Sequence, residues 1–366
     1  MKISGFRTRV VNMPRESGGP AGAAVANFVT LRLQTDAGIE GIGYAGFFST
    51  LMTGAMKSAL DAICEQTLGT DPLMGEATTQ RLLALAGGGT PGGRVVGAPE
   101  GTVTYAVSAI DVALWDIKAK AAGMPLYKLL GGYRDRVPTY ASGHLWRDYD
   151  LKLLAETAPK LVDQGYRAMK FRLGAEKSAD AELQRVRVMR EAAGPDIDLM
   201  IDINQGWSVD QAITIGRRLS EHGIYWLEDP THHGDYPGLA RIADALDTPI
   251  AAGEYQFGIV PFRHMLEQRS IDFVMVDLMR GGGISGFMKI AHMAEAFNLP
   301  VVTHLAPEVL VHALAALPNG LTAEWMPWST GMFKQLPKLE NGQLVLPDRP
   351  GLGLEFDEQA LARFAA

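Results

Sequence analysis

The chain has 366 residues, 47% hydrophobic and 20% charged, which suits a soluble globular protein with one large domain or two smaller ones. Its net charge of −7 and pI near 5.7 argue against a nucleic-acid or anionic-membrane partner. The only cysteine, Cys64, has no internal disulfide partner and fits a reducing compartment.

The opening MKISGFRTRV alternates like a strand and lacks the apolar core of a signal peptide. No run of about 18 or more apolar residues suggests a membrane span, so a cytoplasmic protein is expected. Residues 1 to about 50 read as antiparallel β: ISGFRTRVV and NFVTLRLQT are strands, and the turn DAGIEG leads into IGYAGFF. The small-residue loop ESGGPAGAA, residues 16–24, joins the first two strands. Helical spacing follows at about 52–67, 76–86 and 102–122, and the last segment stops at Gly123-Met124-Pro125. A second glycine-rich loop occupies 86–97.

From about residue 137 short apolar runs alternate with helical patterns. The runs are VPTYASG (137–143), AMKFRLG (168–174), LMIDINQG (199–206), YWLEDP (225–230), PIAAGE (249–254), FVMVDL (273–278), PVVTHL (300–305) and LTAEWM (321–326). Each gap holds one helix, and eight such strands predict a closed parallel β/α barrel. An open doubly wound sheet is the alternative, but the first βα turn lacks GxGxxG. The tail KLENGQLVLPDRPGLGLEFD carries an Asn341-Gly342 hairpin signal and is expected to pack on the N-terminal segment. The resulting division is a capping domain at 1–130, a barrel at 131–328 and a returning segment at 329–366.

Barrel sites form where strands end C-terminally, and polar residues collect there. Lys170 and Arg172 share a strand face, as do Asp202 and Asn204. Glu228, Glu254, Asp277, His304 and Glu324 end the next five strands. Singly, each has an ordinary reading: Asp202 as a helix cap, His304 as a structural histidine, the cations as a solvated edge. Seven successive strands with one rim of such groups are harder to explain structurally. Asp202, Glu228 and Glu254 on adjacent strands would repel one another. A hard divalent cation resolves this, and an oxygen set without cysteine favours Mg²⁺, with Mn²⁺ as a substitute.

The set K-x-R, D-x-N, E-D-P, G-E, D-x-x-x-G-G-G-I-S-G and T-H-L, with AIDVALWDIKAK upstream, resembles the enolase superfamily, mandelate racemase subgroup. The resemblance implies a modified TIM barrel, (β/α)7β, under an α+β cap built from both termini. It implies Asp202, Glu228 and Glu254 as metal ligands, and Asn204 beside the metal-bound substrate. Asp277 and His304 match a His–Asp dyad, Glu324 an acid that hydrogen-bonds the substrate carboxylate, and Ser142 a substrate-contacting serine. The implied chemistry is removal of the proton α to a carboxylate. Lys170, Mg²⁺ and a protonated Glu324 would stabilise the enediolate, with His304 as base, since an ordinary imidazole titrates near neutrality. The subgroup commonly has Lys-x-Lys, and here Arg172 replaces the second lysine. Arginine is a poor base near pH 7, which favours one-base dehydration of a hydroxy acid or short sugar acid over racemisation, epimerisation or cycloisomerisation. His144, Trp146 and Tyr255 follow strand ends and are expected to touch substrate, under the 16–24 loop. A homo-oligomer is expected by the same resemblance. A metal-bound carboxylate sensor is the non-enzyme alternative, although binding alone needs no base. A metal-dependent hydrolase lacks its usual H-x-H or H-E-x-x-H here.

Overall fold

The computed structural model describes residues 1–15, 25–86 and 97–366. The loop at 16–24 and nearly all of the one at 86–97 lie outside the described residues, so the expected position of the first over the barrel mouth has no counterpart here.

The cap begins with an antiparallel sheet of β1 (Ile3–Pro14), β2 (Val25–Thr35) and β3 (Glu40–Gly46). Helices α1 (Thr53–Glu65), α2 (Gly75–Leu83) and α3 (Glu100–Ala121) follow, then the single turn α4 (Leu126–Leu129). The 22-residue α3 is buried along most of its length. It lies between β3 and the barrel, and the glycines of IEGIGYAG explain how. A Cβ on Gly43 would stand 2.1 Å from the Ala109 carbonyl oxygen, and one on Gly41 2.2 Å from that of Ala113. Only glycine lets the strand backbone lie directly on the helix backbone. The buried Asp116 of α3 accepts from the Ile42 amide at 3.0 Å, Lys120 Nζ at 2.7 Å and the Leu352 amide at 2.9 Å. One carboxylate thus joins sheet, helix and C-terminal tail.

The barrel strands are β4 (Arg136–Ala141), β5 (Ala168–Arg172), β6 (Asp198–Asp202), β7 (Ile224–Glu228), β8 (Ile250–Ala252), β9 (Phe273–Asp277), β10 (Val301–His304) and β11 (Gly320–Trp325). Every neighbour pair is parallel, and β11 closes on β4 through Ala323↔Thr139 and Glu324↔Tyr140. Between them run α5 (Leu151–Asp163), α6 (Ala179–Ala193), α7 (Val209–Leu219), α8 (Tyr236–Ala245), α9 (Val260–Glu267), α10 (Gly283–Ala296) and α11 (Pro307–Ala315). This is the (β/α)7β barrel expected from the sequence. Tyr140, Met200, Trp226, Ala251, Met275 and Val302 fill its interior as a separate apolar cluster, so the barrel is a plugged core with its opening at the strand ends. Among the described residues no helix is long and apolar enough to cross a membrane.

The tail departs from expectation in one respect. Its hairpin, β12 (Lys338–Glu340) and β13 (Gln343–Val345), does not pair with the cap sheet. β13 pairs antiparallel with β4 of the barrel, Leu344 opposite Val137. The chain beyond it does return to the cap: Val11 bridges Ala365, and α12 (Glu358–Arg363) ion-pairs through Glu358 with Arg32 of β2. Across the two bodies, Tyr44 of β3 donates to Glu308 of α11 at 2.5 Å. These ties hold the cap above the strand ends.

His312 of α11 is fully buried and its Nε2 meets the Leu352 carbonyl of the tail at 3.0 Å. Burial pushes its pKa down from 6.5 to about 4. The group stays neutral in the folded chain while its unfolded counterpart takes up a proton below 6.5, so its contribution is intact above that pH and is lost on acidification. Urea unfolding should therefore show the wild type losing about 2 kcal/mol more than His312→Gln between pH 7 and pH 5. Equal losses in both proteins would refute the assignment.

Candidate active site at the mouth of the barrel

Strand register puts the polar residues in one layer. Arg172 of β5 lies opposite Asp202 of β6, Asp202 opposite Glu228 of β7, and Asp277 of β9 opposite His304 of β10. The backbone turns sharply just beyond these ends. Asn204 (φ 43°), Asp229 (φ 41°), Leu305 (φ 55°) and Ala306 (φ 47°) all adopt the left-handed conformation without being glycine. Each costs on the order of 1 kcal/mol or more, and their clustering on one rim marks a constrained site.

Lys170 is buried and sits among acids. It pairs closely with Glu228, lies 2.9 Å from Glu324 and 3.9 Å from Asp202. Burial alone would discharge the ammonium, but Glu228 and Glu324 hold its pKa well above the ordinary lysine range. Glu324 is locked on both oxygens, accepting from the Ser142 hydroxyl at 2.6 Å and the Leu305 amide at 2.6 Å. Burial would raise its pKa, yet Lys170, His304 and these two donors bring it down to about 2. These contacts favour the carboxylate form of Glu324, where the sequence-based expectation was a protonated acid. Sequence supplied its position but not the cation 2.9 Å away.

The dyad is formed. His304 Nδ1 meets Asp277 Oδ2 at 2.8 Å, while Asp277 Oδ1 accepts from the amides of Met279 and Arg280, both at 2.8 Å. The aspartate is thus held by the strand-end turn and fixes the ring. Burial would lower the pKa of His304, but Glu254, Asp277 and Glu324 raise it to about 9. Nε2 faces Glu254 at 3.2 Å. These acids favour the protonated imidazole, whereas sequence reasoning took an ordinary group near neutrality.

Two of the predicted ligands, Glu228 and Glu254, come together with Asp229. Oxygens of Glu228, Asp229 and Glu254 lie within 4.8 Å of one another, all buried. Asp202, opposite Glu228 in the strand register, accepts on both oxygens from Asn204, the backbone amide at 2.8 Å and Nδ2 at 2.9 Å. Arg147 Nη1 in turn donates to Asn204 Oδ1 at 2.7 Å, fixing the amide. Asp229 Oδ2 is buried with no hydrogen-bond partner. Burial pushes Glu228 up to about 8, and burial with the neighbouring Glu254 and Glu228 drives Asp229 well above the usual carboxylate range. An all-oxygen set of buried, mutually repelling carboxylates is what a hard divalent cation binds. Glu228 is further fixed by Trp226 Nε1 at 3.0 Å, so the plug of the barrel supports the rim.

A cavity of about 520 Å³ opens between rim and cap. Lys170, Arg172, Asp202, Asn204 and Glu254 line it, with His304, Glu324, Tyr255 and Trp146. Four predicted site residues do not line it. Glu228 and Asp277 lie behind the surface, and Ser142 is fully buried behind Glu324, which places it as a support for that carboxylate. His144 contributes its carbonyl to Arg172 at 3.2 Å. Arg172 is immobilised: Nη1 donates to the Ser142 carbonyl at 3.0 Å, Nη2 to the Ser142 hydroxyl at 3.2 Å, and its Cζ lies 3.7 Å over the Trp146 ring. Sequence reasoning missed Arg280, which lines the cavity and donates to the Glu254 carbonyl at 2.9 Å. A cation three residues after a strand-end aspartate was its only signal. Asp229 was read merely as part of E-D-P.

Residues 8–131 match the family described as mandelate racemase / muconate lactonizing enzyme, N-terminal domain, and residues 153–360 match enolase C-terminal domain-like. An L-talarate/galactarate dehydratase of Salmonella typhimurium is 34% identical over 88% of this chain and 79% of its own. Among solved structures, a racemase from Streptomyces coelicolor with bound magnesium superposes with TM-score 0.89 at 30% identity, covering 100% of both chains. An L-talarate dehydratase from Polaromonas sp. JS666, complexed with Mg and L-glucarate, gives 0.89 at 29% identity, covering 100% of this chain and 97% of that one. The chain belongs to the mandelate racemase/muconate lactonizing enzyme family of the enolase superfamily.

Proposed function

We propose that this enzyme dehydrates an acid sugar by removing the proton α to its carboxylate with one base, His304. The observation that carries the reading is the contrast between two side chains on the cavity wall. His304 is mounted on Asp277 with Nε2 directed inward toward Glu254, whereas Arg172 is committed to Ser142, His144 and the Trp146 face. A racemase needs proton exchange on two faces, and an arginine fastened in this way is a poor second base.

Glu228 and Glu254, with Asp202 and Asp229 beside them, would hold Mg²⁺, or Mn²⁺ in its place. When bound, the ion supplies positive charge at the substrate carboxylate. Lys170, itself almost fully buried, stabilises negative charge developing on the carboxylate oxygens. Glu254, the acid that most raises the pKa of His304, would be engaged by the cation, which would let the imidazole shed its proton. Neutral Nε2 then takes the α-proton, and Asp277 stabilises the imidazolium. Collapse of the enediolate breaks the β C–O bond. The departing hydroxide takes the proton back from His304 and leaves as water, and the enol product tautomerises to a 2-keto-3-deoxy acid. We further propose a cytoplasmic homo-oligomer, supported by family membership and by the single buried Cys64.

Two experiments test the reading. Calorimetric titration with Mg²⁺ should show Glu228→Gln binding at least roughly tenfold more weakly than wild type, with an unchanged circular dichroism spectrum. Undiminished affinity would remove Glu228 from the metal site. A library of acid sugars, assayed for 2-keto-3-deoxy products, should give at least one substrate, with turnover abolished by EDTA and by His304→Asn. Inversion at the α-carbon without dehydration would instead establish a racemase.

A further inference from the structure

The cavity has a second pole, on the side of the cap. Arg15, which follows β1, and Asn27 of β2 line it together with Trp328 from the segment after β11. The Arg15 guanidinium lies 3.9 Å over the Trp328 ring. Trp328 stacks on Trp146, with centroids 5.9 Å apart and planes 6° from parallel. Trp146 carries Arg172 at 3.7 Å. Two stacked indoles therefore connect an arginine of the cap to the arginine of the catalytic rim and fix where the cap-side charge stands.

The other cations of the cavity each have an acid: Lys170 has Glu228 and Glu324, Arg172 has Asp202 at 3.6 Å, and Arg280 has Asp277 at 3.9 Å. Arg15 forms no ion pair among the described residues. Its Nε and Nη1, and the neighbouring Nε1 of Trp328, are buried without a hydrogen-bond acceptor. Desolvation, with no offsetting acid, lowers the Arg15 pKa. Three adjacent shielded donors and a positive charge with no acid partner among the described residues cost free energy, and an anionic acceptor removes that cost. Nearby, Asn27 gives Nδ2–H to Thr53 at 2.9 Å and keeps Oδ1 buried and unpaired, an acceptor suited to a hydroxyl.

We propose that Arg15 and Trp328 form an anion-recognising subsite and that the substrate is a diacid, a sugar acid with a carboxylate at each end. One carboxylate sits at the Lys170 pole, where the proton is removed. The other meets the planar guanidinium fork of Arg15, whose geometry matches a carboxylate, with Trp328 as a further donor and Asn27 receiving an adjacent hydroxyl. This rests on the reading of the rim as the place where an acid sugar presents its reacting end. Arg15 acts here as a specificity-determining residue, remote from the reacting atoms.

The test uses configurationally matched acids, galactarate with galactonate and glucarate with gluconate, on the full-length Mg²⁺-loaded enzyme. Binding is followed by calorimetry and dehydration by product formation. Wild type should prefer one diacid over its matched monoacid by roughly tenfold or more in affinity. Arg15→Gln should collapse that ratio toward one through KM rather than kcat, and Arg15→Lys should restore part of it. Diacid preference in binding without turnover would support the subsite while sinking the dehydration reading. Monoacid and diacid turned over equally well would overturn the subsite and leave dehydration intact. A uniform loss for both classes in Arg15→Gln, a preference for 6-phosphogluconate over glucarate, or no binding of any acid at millimolar concentration would each overturn it too.

Discussion

The site depends on concentrating negative charge where water is scarce. Asp202, Glu228, Asp229 and Glu254 are all buried at one end of the barrel, and carboxylates so placed either take up protons or acquire positive charge. The fold supplies part of that charge through Lys170, buried against Glu228 and Glu324. On the proposed reading a cation supplies the remainder, and the buried Asp229 Oδ2, which has no hydrogen-bond partner, is consistent with that. Much else serves this arrangement. Trp226 rises from the barrel plug to hold Glu228, Arg147 holds Asn204 against Asp202, and left-handed turns after β6 and β7 aim the chain.

The same crowding shapes the proton chemistry. Glu254, Asp277 and Glu324 raise the pKa of His304, and Lys170 lowers that of Glu324. Each group's protonation is set by a partner from a different strand. Arg172 adds a fixed charge in the same neighbourhood, yet its hydrogen bonds and its indole contact give it the character of a strut. On the proposed reading, a rim with one mobile proton and one fixed guanidinium favours elimination over inversion.

Much of this was legible in the sequence. Eight apolar runs ending in polar residues specify eight barrel strands, and the period of two places Lys170 with Arg172 and Asp202 with Asn204 on shared faces. What stayed hidden depends on distances between segments remote in the chain. Nothing local says that Ser142 turns inward to support Glu324, that Asp202 spends its oxygens on its own turn, or that Asp229 joins Glu228 and Glu254. The tail hairpin was recognisable from Asn341-Gly342, but its partner was not, because β4 offers an edge at Arg136–Pro138 that only the closed barrel creates. Arg15 carries no such signal in the sequence, since its partner Trp328 lies more than 300 residues away in the chain.

The central claim is that one base, on one face, moves the proton. Proton NMR in D₂O, with both enantiomers of a simple 2-hydroxy acid that lacks a β-hydroxyl, addresses it without the complication of dehydration. The wild type should exchange the α-proton of only one enantiomer and retain its configuration. Arg172→Lys, which places a potential second base beside Lys170, should gain exchange with inversion. Rapid exchange of both enantiomers by the wild type would contradict the account and identify a working base opposite His304.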